Sequence, residues 1–150
     1  MSNDSPDKTA EDENQNIETV ELFIFKIMDV YFGADMEQIE EMIEVPSDAG
    51  VGEIMAIHKL IPFRATIVTY QTPKVLLVKD EKEGAWPLMI DQAKTIVNLS
   101  IDSIQLFPGL MEGSRKSEAL WGATFIDENL VLLVDLNKLS TLRPSQSKSS

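Results

Sequence analysis

Residues 121–139 read WGATFIDENLVLLVDLNKL, two apolar runs on either side of the polar break Asp127, Glu128 and Asn129. A break that short reverses the chain, so the stretch is expected to form a β-hairpin. The second run, residues 130–134, carries no polar side chain. Such a strand is stable only with both faces covered, which puts it in the middle of a sheet. Residues 136–139 then read as a short closing turn, and the rest of the chain must supply the strands that cover the hairpin.

The chain is 150 residues long with 43% hydrophobic content, which is enough to build the core of one ordinary domain without a disulfide or metal staple. It has no cysteine. Disulfides, thiolate metal sites, iron–sulfur clusters and cysteine nucleophiles are thereby excluded, and a reducing compartment is suited. The N-terminal residues, MSNDSPDKTAEDENQN, contain neither a basic region nor an apolar run. No later stretch approaches the roughly 20 apolar residues of a membrane-crossing helix. The expectation is a cytoplasmic protein with no direct membrane insertion.

The net charge is −12. Residues 1–19 hold six acids against Lys8, a net −5, and Arg143 and Lys148 add +2 at the other end, which leaves −9 on the residues between. The domain is therefore acidic without its ends. Nucleic acid and anionic membrane, which are bound through clustered lysine and arginine, are not its expected partners.

Residues 1–18 are acidic and poor in apolar side chains, so a disordered tail is expected there, with a second at 141–150 and a single domain at 19–140. Residues 20–28, VELFIFKIM, are apolar on both alternating faces and suit a doubly covered strand. Asp29 and Val30 offer a tight reversal into a return strand at 31–35. Residues 36–45 fit a short helical turn opening into an edge strand, and Pro46 ends it. Residues 47–52 form a loop, and 53–63, EIMAIHKLIPF, read as a strand with Pro62 tolerated at an edge or bulge. Residues 66–70 add a short β-prone run. KVLLVK at 74–79 is a core strand, turned by DEKEG into 85–90, and 96–99 give another short strand. Residues 100–104 resemble a helical turn capped by Ser100 and closed by Ser103. Phe107, Pro108 and Gly109 break the chain, and 113–118 form a polar loop. About nine short strands with little helix favour a closed barrel or a pair of small barrels.

This order of elements resembles CheW-like domains, the scaffold modules of bacterial chemotaxis arrays. The resemblance runs from Glu21 to Leu139. It is carried by FIFKI, a turn and YFGAD in the first half, and by KVLLVK, WPLMID, SIDSI and GATFIDENLVLLVDLNKL in the second. It implies an all-β fold of two small five-stranded SH3-like barrels packed on each other, with short helical turns. It also implies a non-enzymatic adaptor that binds a CheA-like histidine kinase regulatory domain and chemoreceptor cytoplasmic tips, with no cofactor. The chain departs from the family pattern where Asn-Leu-Arg-Gly usually stands. With Pro62 as anchor, those positions hold Met55, Ala56, Ile57 and His58, and the Asp-Leu-Arg that usually follows finds only Arg64, out of register. Ile57, His58, Lys59 and Arg64 fall where the family's contact stretch lies and are the expected partner-binding residues.

Enzymatic readings find little to build on. His58 is the only histidine, so any triad or histidine–metal site has to be assembled around it. The acidic pairs Asp127–Glu128 and Glu40–Glu41 read as solvated turn residues, and Gly50 and Gly52 do not make a phosphate-binding loop. Trp86 and Trp121 each begin an apolar strand and are expected in the core, and the scattered methionines read as gap fillers. Two alternatives stay open: a small-ligand-binding barrel, and a degenerate module that occupies a scaffold position without passing on a signal.

Overall fold

A computed structural model describes residues 18–47, 54–63, 67–107 and 119–142. The chain runs β1 (Thr19–Ile27), β2 (Val30–Asp35), a 3-10 turn (Met36–Gln38), β3 (Ile39–Glu44), β4 (Met55–Ala56), a second 3-10 turn (Ile57–Lys59), β5 (Lys74–Asp80), β6 (Gly84–Ile90), β7 (Ala93–Ser100), a third 3-10 turn (Ile101–Ser103), β8 (Gln105–Leu106), β9 (Leu120–Ile126), β10 (Asn129–Val134) and helix α1 (Leu136–Leu142). Two sheets result, ordered β7-β1-β2-β10-β9-β8 and β3-β5-β6-β4. The fold is all-β, as expected; of the tails expected at 1–18 and 141–150, residues 1–17 and 143–150 lie outside the described residues, while Thr141 and Leu142 belong to α1.

The alternation of β1 explains how the six-stranded sheet is built. Phe23, Phe25 and Ile27 enter the main core between the sheets, where they meet Phe32, Leu76, Val78, Trp86, Leu88, Leu136 and Leu139. Leu22 and Ile24 point the other way, onto Val131 and Leu133. Around that second cluster pack Val97 and Leu99 from one edge strand, with Ile104, Trp121 and Ile126 from the opposite side. Both ends of the sheet cover the same apolar side chains, so the sheet curls on itself as a small barrel with its own interior. Gly33 leaves the needed room: a Cβ there stands 3.1–3.3 Å from Leu133, Ile24 and Val131.

The closing hairpin takes the central position its apolar run demands. β10 lies between β2, which it pairs in parallel, and β9, which it pairs antiparallel. Val131 and Leu133 face the barrel interior while Leu132 and Val134 pack against the main core. The turn is tighter than the three-residue break suggested: Ile126 pairs with Asn129, and Asp127 and Glu128 take φ of 51° and 70°. That is the left-handed pair of a type I′ hairpin turn, without the usual glycine.

Several expectations are corrected. The first reversal is Met28–Asp29, since Ile27 pairs with Val30; this register keeps Phe32 and Ala34 on the core side with Phe25 and Phe23. Residues 53–63 are not one strand. After Met55–Ala56 the chain winds into the second 3-10 turn, because Ile57, Leu60 and Ile61 all bury, a spacing that one side of a helical turn satisfies and an alternating strand does not. Pro62, with no N–H to give, prevents a ladder from resuming. Residues 67–70 form no strand; Tyr70 is instead held through its side chain. The closing turn is a helix that continues through Leu142, capped by Asp135, whose Oδ1 accepts from the backbone N–H of Asn137 at 3.0 Å. The loop expected at 113–118 lies outside the described residues.

The capped turn after β7 forms as expected: Ser100 accepts from the N–H of Asp102 at 3.2 Å and the Ser103 hydroxyl donates to the Ser100 carbonyl at 2.8 Å. Trp86 is buried in the main core and Trp121 is half-buried against the barrel interior. Among the described residues no helix is long and apolar enough to cross a membrane.

Candidate partner-binding site

Three of the four expected contact residues sit on the second 3-10 turn. Ile57 is buried and anchors it, the Leu60 N–H closing on the Ile57 carbonyl at 2.9 Å. His58 is half-buried and Lys59 exposed, so the turn directs its anchor inward and its polar side chains outward. Arg64 lies outside the described residues.

His58 is engaged by Tyr70. The His58 backbone N–H donates to the Tyr70 hydroxyl oxygen at 3.4 Å, and the same hydroxyl lies 3.0 Å from the ring Nδ1. Burial lowers the His58 pKa, and the neighbouring Lys59 charge lowers it further. Burial pushes the Tyr70 phenol above its ordinary range, with Asp91 adding to the rise and the hydrogen bond from His58 opposing it. Both shifts favour a neutral imidazole beside a protonated phenol. The phenol oxygen receives the backbone N–H, and the tautomer of the imidazole sets which group donates across the 3.0 Å contact to Nδ1.

Asp91 sets Tyr70 in place. Its carboxylate is fully buried at the end of β6 and accepts from the N–H of Gln71 at 2.9 Å and of Thr72 at 2.7 Å. Its own carbonyl, together with that of Gln92, receives the Lys26 N–H of β1. One buried side chain thus ties the segment before β5 to the junction of the two sheets. Sequence reasoning missed both residues. The available signal was a lone acid directly after the apolar strand WPLMI, a position where a carboxylate survives only by accepting several hydrogen bonds.

Beside this turn opens an apolar groove of about 420 Å³, lined by Met28, Val30, Phe32, Pro62, Phe63 and Leu132, with Asp29 at its rim. A file of rings leads to it from the core: Phe23 to Phe25 at 5.9 Å between centroids, Phe25 to Phe32 at 5.6 Å, Phe32 to Phe63 at 6.4 Å and Phe63 to His58 at 6.5 Å. His58 therefore packs against the groove's aromatic wall without lining the groove. A larger concavity of about 640 Å³, bordered by Glu37, Glu40, Lys79, Lys82 and Asn137 among others, has a mostly charged and polar lining.

Chemically, the arrangement is suited to contact. The partner of His58 is a phenol held neutral, which is a poor orienting group for a general base. Among the described residues no three His, Asp or Glu side chains are placed to hold a metal ion. Asp127, Glu128, Glu40 and Glu41 are exposed, so the acidic pairs are solvated.

No family model matches the sequence, and no curated protein sequence matches it. Among solved structures, the crystal structure of the scaffolding protein TtCheW from Thermoanaerobacter tengcongensis is similar to it. The TM-score is 0.62 at 12% sequence identity, over 81% of this chain and 88% of that one. The chain has a CheW-like fold, a divergent version in sequence.

Proposed function

We propose that this chain acts by binding alone, as a cytoplasmic adaptor in a chemotaxis-type signalling assembly. Two things support the reading: the likeness in fold to a scaffolding protein over most of both chains, and an apolar groove directly beside the turn where the resemblance puts the contact residues. The groove carries the argument. Met28 and Pro62 are exposed in it and Val30, Phe63 and Leu132 half-buried, and a contiguous apolar surface of this kind marks a place where a partner docks. The partners proposed are a CheA-like kinase regulatory domain and chemoreceptor tips. Ile57 sets the turn, His58 and Lys59 meet the partner, and Arg64 completes the contact.

The test is a pull-down with a CheA-type regulatory domain, comparing wild type with a His58→Glu/Lys59→Glu double substitution, each checked for folding by circular dichroism. Capture by the wild type and loss in the variant is expected. Equal capture by both removes these residues from the site, and no capture by wild type removes the kinase as partner.

A further inference from the structure

The two hairpin tips of the six-stranded sheet lie side by side. Parallel pairing sets Tyr31 against Val131 and Phe32 against Leu132, so the reversals that precede the two strands, Met28–Asp29 and Asp127–Glu128, lie at the same end of the sheet. On the face turned away from the barrel interior, Phe125 and Leu130 are direct cross-strand partners. They are 71% and 49% exposed. Leu130 stands two residues before Leu132, on the same side of its strand, and Leu132 lines the groove. Met28, also exposed, lines it as well. The groove and the Phe125–Leu130 pair are thus one continuous apolar surface reaching from Phe63 to the tips.

At its tip end the charges bordering this surface, among the described residues, are acidic: Asp29, Asp127 and Glu128 are all exposed. Lys26, on the adjoining strand, holds its Nζ 5.2 Å over the Tyr31 ring, and Tyr31 packs against the barrel interior, on the opposite face. Lys59 is not among the groove's lining residues.

We infer that this surface docks an amphipathic segment of a partner in which apolar side chains are flanked by lysine or arginine. The apolar anchors enter the groove beside Phe63 and cover Phe125 and Leu130, and the cations meet Asp29, Asp127 and Glu128. The inference rests on the adaptor reading and gives its partner a chemistry. A second copy of the chain fits poorly, because two molecules that each carry a net charge of −12 repel one another. Central aromatic anchors carry most of the affinity in such contacts, while rim charges set partner choice and salt dependence.

The experiment follows backbone amide resonances of the full chain as it is titrated with a synthetic leucine–lysine amphipathic peptide, then with a leucine–glutamate peptide of the same pattern. The lysine peptide is expected to shift residues 28–32 and 125–132 and the glutamate peptide to shift neither. Phe125→Ser, at a position already exposed, is expected to weaken binding by about tenfold or more. Asp127→Asn with Glu128→Gly places the residues a type I′ turn prefers, so it keeps the fold and flattens the salt dependence. Shifts spread over the acidic β3, equal response to both peptides, or indifference to Phe125→Ser overturns the proposal. Phe125-dependent self-association in sedimentation also overturns it, in favour of a second copy. Tip-localised peptide binding without capture of the kinase domain removes the chemotaxis reading and leaves this inference standing. Capture of the kinase domain that ignores Phe125→Ser, with no peptide shifts at the tips, does the reverse.

Discussion

Replacing Asp135 by alanine tests how the two sheets are joined. Asp135 caps α1, its Oδ1 accepting from the N–H groups of Asn137 at 3.0 Å and Lys138 at 3.3 Å. The same oxygen receives Nε2 of Gln38 at 3.0 Å, and the Gln38 Oε1 accepts the Leu136 N–H at 2.8 Å. Gln38 belongs to the turn that leads into β3, so a strand of one sheet and the helix following the other are locked by a reciprocal pair. Losing the cap costs about 1 kcal/mol, and losing the part-buried hydrogen bond from Gln38 costs about another 1 kcal/mol. The sum of about 2 kcal/mol lowers Tm by roughly 4–8 °C for a chain of this size. Asp135→Asn keeps an oxygen at the cap and gives up only the charge at the helix N-terminus, about 0.3–1 kcal/mol. Urea unfolding followed by tryptophan fluorescence suits the measurement, because the Trp86 Nε1–H donates to the Ser140 hydroxyl of the same helix at 2.6 Å. Alanine within about 0.5 kcal/mol of wild type, or asparagine as damaging as alanine, refutes the reasoning. A Gln38→Ala/Asp135→Ala cycle should return a coupling of about 1 kcal/mol.

Gly122→Ala puts a Cβ 2.8 Å from the Gln105 backbone carbonyl; about 1–3 kcal/mol of destabilisation is expected, with faster amide exchange in β8 and β9. Asp91→Ala strips the N–H groups of Gln71 and Thr72 of their buried acceptor and should cost about 3 kcal/mol, read as a lower urea midpoint, whereas a loss under about 1 kcal/mol contradicts the clamp. His58, the only histidine, should titrate in NMR below its ordinary 6.5, because burial and Lys59 disfavour its charged form. Folding lowers this pKa, so the unfolded chain takes up the proton first. The stability linked to it is full above pH 6.5 and declines as the pH falls from there to the folded value, and the decline should vanish in His58→Gln. Tyr70→Phe removes the hydroxyl that meets both the ring and backbone of His58 and should lower stability by about 1 kcal/mol in urea unfolding, with an unchanged midpoint arguing against it.

The hairpin, the doubly covered first strand, KVLLVK and the Ser100 cap were legible in the sequence because each rests on local chemistry. Alternation, a charge-free run, a turn composition or a capping hydroxyl speaks within a window of ten residues. The second 3-10 turn was not. EIMAIHKLIPF offers apolar side chains to either a strand or a turn, and the choice fell to Ile57, Leu60 and Ile61 finding room together in the core. The candidate site divides in the same way. His58 and Lys59 could be named from their place in the chain, but the Tyr70 hydroxyl and the Asp91 clamp come from 12 and more residues away and are joined to them only by folding.

By itself the sequence determined an all-β domain, its acidity, the central place of residues 130–134 and the absence of cysteine chemistry, since these depend on composition and on a period of two along one strand. Only the tertiary structure decided which apolar side chains remain uncovered. Phe125 and Leu132 look alike in a list of hydrophobic residues. The register that places Phe125 opposite Leu130 at the tip, beyond the reach of the second sheet, leaves one exposed while the other packs on the core. Burial is a property of what the rest of the chain brings alongside, and no window of sequence contains it.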